Sequence, residues 1–185
     1  MDIAEILLVA FGLAMDCFSV AITSGLAVKE IKSSFALKVG ASFGFFQSAM
    51  PVFGWLGGIS LLDVISGVDH WVAFALLSLI GGKMLYESAR RKDGKEKANP
   101  SKGRVLLMLS VATSIDALAV GVGFAFLHVA ILIPVIVIGV TAFAMSFFGV
   151  YLGGKFGEHL GSKMEIVGGL ILISIGIKIL LEHTL

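Results

Sequence analysis

Gly81-Gly82-Lys83-Met84-Leu85-Tyr86-Glu87 is echoed 95 residues later by Gly176-Ile177-Lys178-Ile179-Leu180-Leu181-Glu182. Hydrophobic composition explains coincident leucines and glycines, but not a paired Lys and Glu at fixed spacing. Working backwards at the same shift, Gly44–Glu87 falls on Gly139–Glu182. Gly44/Gly139, Ala49/Ala144, Met50/Met145, Phe53/Phe148, Gly54/Gly149 and Gly58/Gly153 then coincide. Further back the shift becomes 100, and Asp16 falls on Asp116. The five-residue difference is expected to be absorbed by a shorter connection in the second half. The chain is therefore read as a duplication.

Each copy is too apolar for a soluble domain. Of 185 residues, 57% are hydrophobic and 15% charged, and mean hydropathy is +1.00. That leaves too little polar surface to clothe a core. The net charge of +1 gives no global field that points to nucleic acid, and none is expected as a partner. A single cysteine, Cys17, excludes an intramolecular disulfide framework. The start, Met1-Asp2-Ile3-Ala4-Glu5, is acidic where a cleaved signal peptide would be basic, so none is expected.

A bilayer core of about 30 Å takes roughly 20 apolar residues of helix. The expected fold is an all-α integral membrane protein, its partner the lipid bilayer, with six spans. They are placed near Ile3–Leu26, Ser34–Leu62, Val68–Glu87, Arg104–Leu127, Ala130–Gly153 and Met164–Leu181. Residues 1–87 form the first three-helix repeat and 104–185 the second. Residues 88–103, with Arg90-Arg91-Lys92-Asp93-Gly94-Lys95-Glu96-Lys97, form a basic linker.

Of the 14 Lys and Arg, all but Lys83 and Lys178 fall in or at the edges of alternate loops of this scheme: after span one, in the linker, and after span five. The positive-inside rule then sets those loops in the cytoplasm and both termini outside. Lys83 and Lys178, with Glu87 and Glu182, read as interfacial anchors near helix ends. His70, Trp71, His128 and His183 read as interfacial too. Three spans per copy is an odd number, so the second copy must be inverted. Inverted repeats are the architecture of many secondary transporters, with the substrate site near the midplane between the halves.

Asp16 and Asp116 sit near the middle of spans one and four. A carboxylate there costs several kcal/mol and faces the bundle interior. Gly12, Asp16, Ser19 and Thr23 share one helical stripe, and Ala112, Asp116, Ala119 and Gly123 the matching one. In span two, Gly44, Gln47, Pro51, Gly54 and Gly58 share a face, as do Gly139, Ala142, Ser146, Gly149 and Gly153 in span five. Pro51 cannot donate to the carbonyl of Gln47, which frees that oxygen. The candidate metal ligands are Asp16, Asp116, Gln47 and Ser146. So hard and oxygen-rich a set suits magnesium, calcium or manganese better than copper or zinc. Two alternatives stand beside ligation: an aspartate pair sharing a proton for purely structural reasons, and a helix-to-helix hydrogen bond from Gln47.

Across nearly its whole length the chain resembles the bacterial manganese efflux pumps of the MntP type. The resemblance rests on Ala10-Phe11-Gly12-Leu13-Ala14-Met15-Asp16, and on Phe43-Gly44-Phe45-Phe46-Gln47 with Pro51 and Gly54-Trp55. It continues through His70-Trp71-x-Ala73-Phe74, Gly81-Gly82-Lys83-Met84, Ala112-Thr113-Ser114-Ile115-Asp116-Ala117 and Ala119-Val120-Gly121-Val122-Gly123. It implies export of manganese(II) across the cytoplasmic (inner) membrane, with Asp16 and Asp116 essential and manganese(II) as cargo rather than cofactor. Some members carry glutamate at the Gln47 position, so this site has one negative charge fewer.

The expected mechanism is alternating access at a midplane site, with protons as a candidate counter-ion. The rival readings are an exporter of another divalent cation or small solute on the same scaffold, and an intramembrane aspartyl protease. Against the protease stands the Ser-Ile-Asp-Ala context of Asp116, which lacks the Gly-x-Gly-Asp such enzymes carry. Nothing resembles a P-loop, so direct ATP hydrolysis is not expected. The sequence carries no signal for oligomeric state.

Overall fold

In a computed structural model of the chain, residues 1–26, 28, 31–60, 69–90, 103–156 and 158–184 are described. Among them the chain forms six helices: α1 (Ile3–Leu26), α2 (Ser33–Ile59), α3 (Asp69–Arg90), α4 (Gly103–Phe126), α5 (Leu132–Phe156) and α6 (Glu158–Thr184). Three are long and apolar enough to cross a membrane, Ile3–Leu26, Gly103–Phe126 and Leu132–Gly153. Phe74–Lys83 and Gly169–Lys178 are shorter apolar stretches within α3 and α6. The turn containing Asp63 and most of the basic linker lie outside the described residues.

The packing is inside out relative to a soluble protein. Gln47, Ser19, Ser110, Thr113, Ser114, Asp116 and Ser146 are buried, whereas Phe45, Phe53, Leu79, Met108, Leu132 and Val140 are exposed. In water such a surface would drive aggregation; in lipid it is the solvated face. The chain is a multi-pass membrane protein.

Close approaches at glycine fix how the helices run. A Cβ on Gly149 would meet Phe18, and one on Gly153 would lie 2.1 Å from the carbonyl oxygen of Ile22, so α1 and α5 run parallel. Gly54 against Leu118 and Gly58 against Val122 make α2 and α4 parallel in the same way. Gly40 lies on Phe143 and Gly44 on Gly139, so α2 and α5 are antiparallel. Gly81 on Gly169 and Gly176 on Leu77 set α3 antiparallel to α6.

These contacts come in matched sets. Under the shifts of 95 and 100, Gly54·Leu118 corresponds to Gly149·Phe18, Gly58·Val122 to Gly153·Ile22, and Gly81·Gly169 to Gly176·Phe74. Gly44 and Gly139, themselves equivalent, approach each other: a Cβ on either would fall 3.0–3.2 Å from the other's carbonyl oxygen. α2 continues unbroken through Pro51, which is buried where α4 offers Gly121. The equivalent of Gly121 is Ala21, and of Pro51, Ser146. A Cβ at Gly121 would stand 2.2 Å from the carbonyl oxygen of Pro51, so the α2 backbone itself occupies the space a side chain would need.

The helix ends have local causes. At the start of α1, Asp2 Oδ1 accepts from the Glu5 amide and Glu5 Oε2 from the Asp2 amide, each at 2.9 Å, a reciprocal capping box. α4 ends in a Schellman turn: Val129 N–H donates to Phe124 O at 2.9 Å and His128 N–H to Ala125 O at 3.0 Å. His128 holds the left-handed position at φ 54°, which glycine fills at lower cost. His128→Gly should therefore raise stability by up to about 1 kcal/mol, read as a higher melting temperature in detergent.

Three expectations change here. The five-residue difference between the copies is not mainly loop: the connections after α1 and α4 span residues 27–32 and 127–131. α2 instead begins four residues, about one turn, earlier than its equivalent α5. α6 starts at Glu158 rather than near Met164, leaving only residue 157 between α5 and α6. Lys155 and Lys163 thus lie in helices, because Glu158–Glu165 is polar enough to end a span yet favourable to helix. Lastly, Ala112 is exposed, so the small-residue stripe of α4 turns outward at that end.

Candidate metal site

Asp16 and Asp116 each stand thirteen residues after the first residue of a 24-residue helix (16 − 3 and 116 − 103). Asp116 is buried and Asp16 half-buried. Every member of the two glycine-bearing faces is buried: Gly44, Gln47, Pro51, Gly54 and Gly58 on α2, and Gly139, Ala142, Ser146, Gly149 and Gly153 on α5. Small residues let four backbones come close enough for short polar side chains to meet.

Gln47 ties the site together. Its Nε2 donates to the carbonyl oxygen of Thr113 at 3.1 Å and reaches Cys17 Sγ at 3.1 Å. One amide nitrogen thus bridges the helix of Asp16, at the adjacent residue, and the helix of Asp116, one turn earlier. The nitrogen makes the helix-to-helix bond, while Oε1 is buried without a hydrogen-bond partner among the described residues. Ser146 Oγ is likewise buried and partnerless, as is Ser78 Oγ. An orphaned buried oxygen costs on the order of 1–3 kcal/mol, a cost that a bound cation or water would remove.

A second polar contact continues along the α2/α4 seam. Ser42 Oγ and Ser110 Oγ are 2.7 Å apart, and Ser110 precedes Thr113 by one turn. Sequence reasoning passed over Ser42, Ser110 and Thr113, since serine and threonine often bond back to their own helix. Thr113 and Ser114 do so here, to Ser110 O and Val111 O. Met50 and Met145 pack against the main apolar cluster, in keeping with a packing role.

The largest departure concerns Lys83. Its Nζ donates to both carboxylate oxygens of Asp116, at 2.9 and 3.1 Å. Its equivalent, Lys178, ion-pairs with Glu5 near the start of α1. Lys83 is therefore not simply an interfacial anchor, whereas Lys178 pairs at the head of α1, where an anchor would sit. The signal in the sequence was the pairing itself: each copy carries one mid-span Asp and one Lys at a repeated position. Among the described residues no group of three His, Cys, Asp or Glu side chains gathers as a metal cluster, so any cation site here must draw on amide and hydroxyl oxygens.

The family described as "Putative manganese efflux pump" matches residues 30–180. Proteins named "Putative manganese efflux pump MntP" are similar over nearly the whole chain. The one from Methanosarcina mazei is 51% identical over 176 residues, 95% of this chain and 94% of that protein. The one from Gloeothece citriformis is 49% identical over 183 residues, 99% and 97% respectively. A Clostridium botulinum relative is 44% identical over 194 residues, covering 100% and 96%. No solved structure matches the chain. With the match spanning most of the sequence, the chain belongs to the manganese efflux pump family, which are transporters and not enzymes.

Proposed function

We propose that the chain exports manganese(II) from the bacterial cytoplasm across the inner membrane, by alternating access around one site near mid-bilayer. Six helices span the membrane on this reading, with residues 1–87 and 104–185 as inverted halves, 88–103 as a cytoplasmic linker, and both termini outside. The alternating helix directions and the matched glycine contacts support the inverted halves. The one-sided distribution of basic residues supports the orientation.

The single observation that carries the site is Gln47. Its nitrogen is committed to Thr113 and Cys17, and its Oε1 is buried with no hydrogen-bond partner among the described residues. Asp16 and Asp116 supply two negative charges to balance a divalent cation, and Gln47 Oε1 and Ser146 Oγ add neutral oxygens. The carbonyl of Gln47, released by Pro51, is a further donor. Manganese(II) accepts such an all-oxygen set. Protons are the counter-ion on this reading.

Manganese(II) uptake by everted membrane vesicles tests this reading. Wild-type protein should load the vesicles, Asp16→Ala should not, and Gln47→Leu should raise the half-saturating concentration about tenfold, or ~1.4 kcal/mol. Equal uptake by wild type and Asp16→Ala would remove the site. Uptake of another divalent cation in preference to manganese(II) would keep the scaffold and change the cargo.

A further inference from the structure

Both oxygens of Asp116 are taken by one ammonium group, which poses a problem for any cation that is to bind there. Lys83 Nζ lies 2.9 and 3.1 Å from them, on the lone pairs a metal would need. The two partners differ in freedom. The Asp116 side chain is 9% exposed and the Lys83 side chain 39%, so the carboxylate is held in the seam while the lysine is only partly buried. A lysine stem is flexible and its head a compact charge, so it can leave without repacking the core.

The surrounding packing agrees. α3, which carries Lys83, packs chiefly on α6 and only lightly on α4, whereas the equivalent pair α6 and α1 packs closely. The Lys83–Asp116 pair is a polar link across this lightly packed α3/α4 seam. Gly82, beside Lys83, has open space where a side chain would stand. The position equivalent to Glu5, the partner of Lys178, is Val105, so the second half offers Lys83 no such acidic group at the start of α4.

We propose that Lys83 is the carrier's internal substitute cation: its ammonium occupies Asp116 when the site is empty, and manganese(II) displaces it on loading. This deepens the transport reading above and rests on it. A carrier must return without its metal, and an uncompensated carboxylate at membrane depth opposes that step. The ammonium of Lys83 compensates Asp116 without a bound metal. When the metal arrives it takes over Asp116, the α3/α4 link opens, and the two charges of the metal replace the one withdrawn. Lys83 is thus a positioning residue for the return step, not a ligand.

The experiment uses purified full-length protein in proteoliposomes and compares net manganese(II) efflux with manganese-for-manganese exchange. Exchange never needs the empty carrier to reorient, whereas net efflux does in every cycle. Lys83→Met should lower net efflux at least about tenfold while exchange stays within about twofold of wild type, and Lys83→Arg should restore net efflux at least in part. Equal net efflux by Lys83→Met and wild type would overturn the proposal. So would loss of exchange and net efflux together, because a damaged metal site or fold affects both. If wild-type protein moves manganese(II) in neither mode, the transport reading itself fails, a result distinct from either.

Discussion

Asp116→Asn and Asp16→Asn will each lower manganese(II) export by at least about a hundredfold, and the double variant will be no worse than either alone. The substitution keeps size and hydrogen-bonding shape but removes one negative charge. Interactions with a charged group contribute about 1.5–3 kcal/mol, and a hundredfold is ~2.7 kcal/mol. The non-additivity is the sharper part of the expectation. Two aspartates on one ion act as a unit, so once the first is lost the second has little left to contribute. Manganese retained by cells after a loading pulse measures it. Independent losses that multiply in the double variant would mean that each aspartate serves a separate step. Asp116→Asn also removes the charge that holds Lys83, so its α3/α4 seam should loosen, giving faster amide exchange there than in Asp16→Asn.

The second large effect concerns packing. Gly54→Ala and Gly153→Ala should destabilise the folded protein by similar amounts, about 1–3 kcal/mol each, while Gly57→Ala should be neutral or slightly stabilising. A Cβ at Gly54 would lie 1.9 Å from the carbonyl oxygen of Leu118, and one at Gly153 2.1 Å from that of Ile22. Both oxygens belong to helix backbone, which cannot rotate aside as a side chain would. Gly57 has nothing within 4 Å. Thermal unfolding in detergent reads all three. Gly54 and Gly153 sit at corresponding crossings, α2 on α4 and α5 on α1, one turn apart in register, so penalties of the same order are expected. A large penalty at one and none at the other would speak against matched crossings.

Much of this was legible in the chain. The bounds of α1 follow directly from one apolar run closed by an acidic cap, with Asp2 and Glu5 at its head. The buried faces of α2 and α5 follow from glycine spacing, since a residue every three or four positions marks one side of a helix. Asp16 and Asp116 stand out because charge is rare where apolar residues crowd.

What failed to show was whatever depends on a neighbouring helix. Lys83 lies seven residues before the end of α3, next to a charged run, and by sequence alone reads as an anchor. Only the packing of α3 beside α4 turns its long side chain toward Asp116. The starting point of α6 was hidden for another reason: hydropathy marks where a helix enters lipid, not where it begins. The paired Lys and Glu that first revealed the duplication thus mean more than a repeat. At Lys83 the repeated position closes on Asp116, and at Lys178 on Glu5.

The most direct measurement is manganese(II) binding to purified protein, followed by the loss of the free-ion electron paramagnetic resonance signal. One site shared between the halves predicts one ion bound per chain, with binding lost in Asp16→Asn and in Asp116→Asn alike. Two ions per chain, or half the capacity surviving in each single variant, would contradict it.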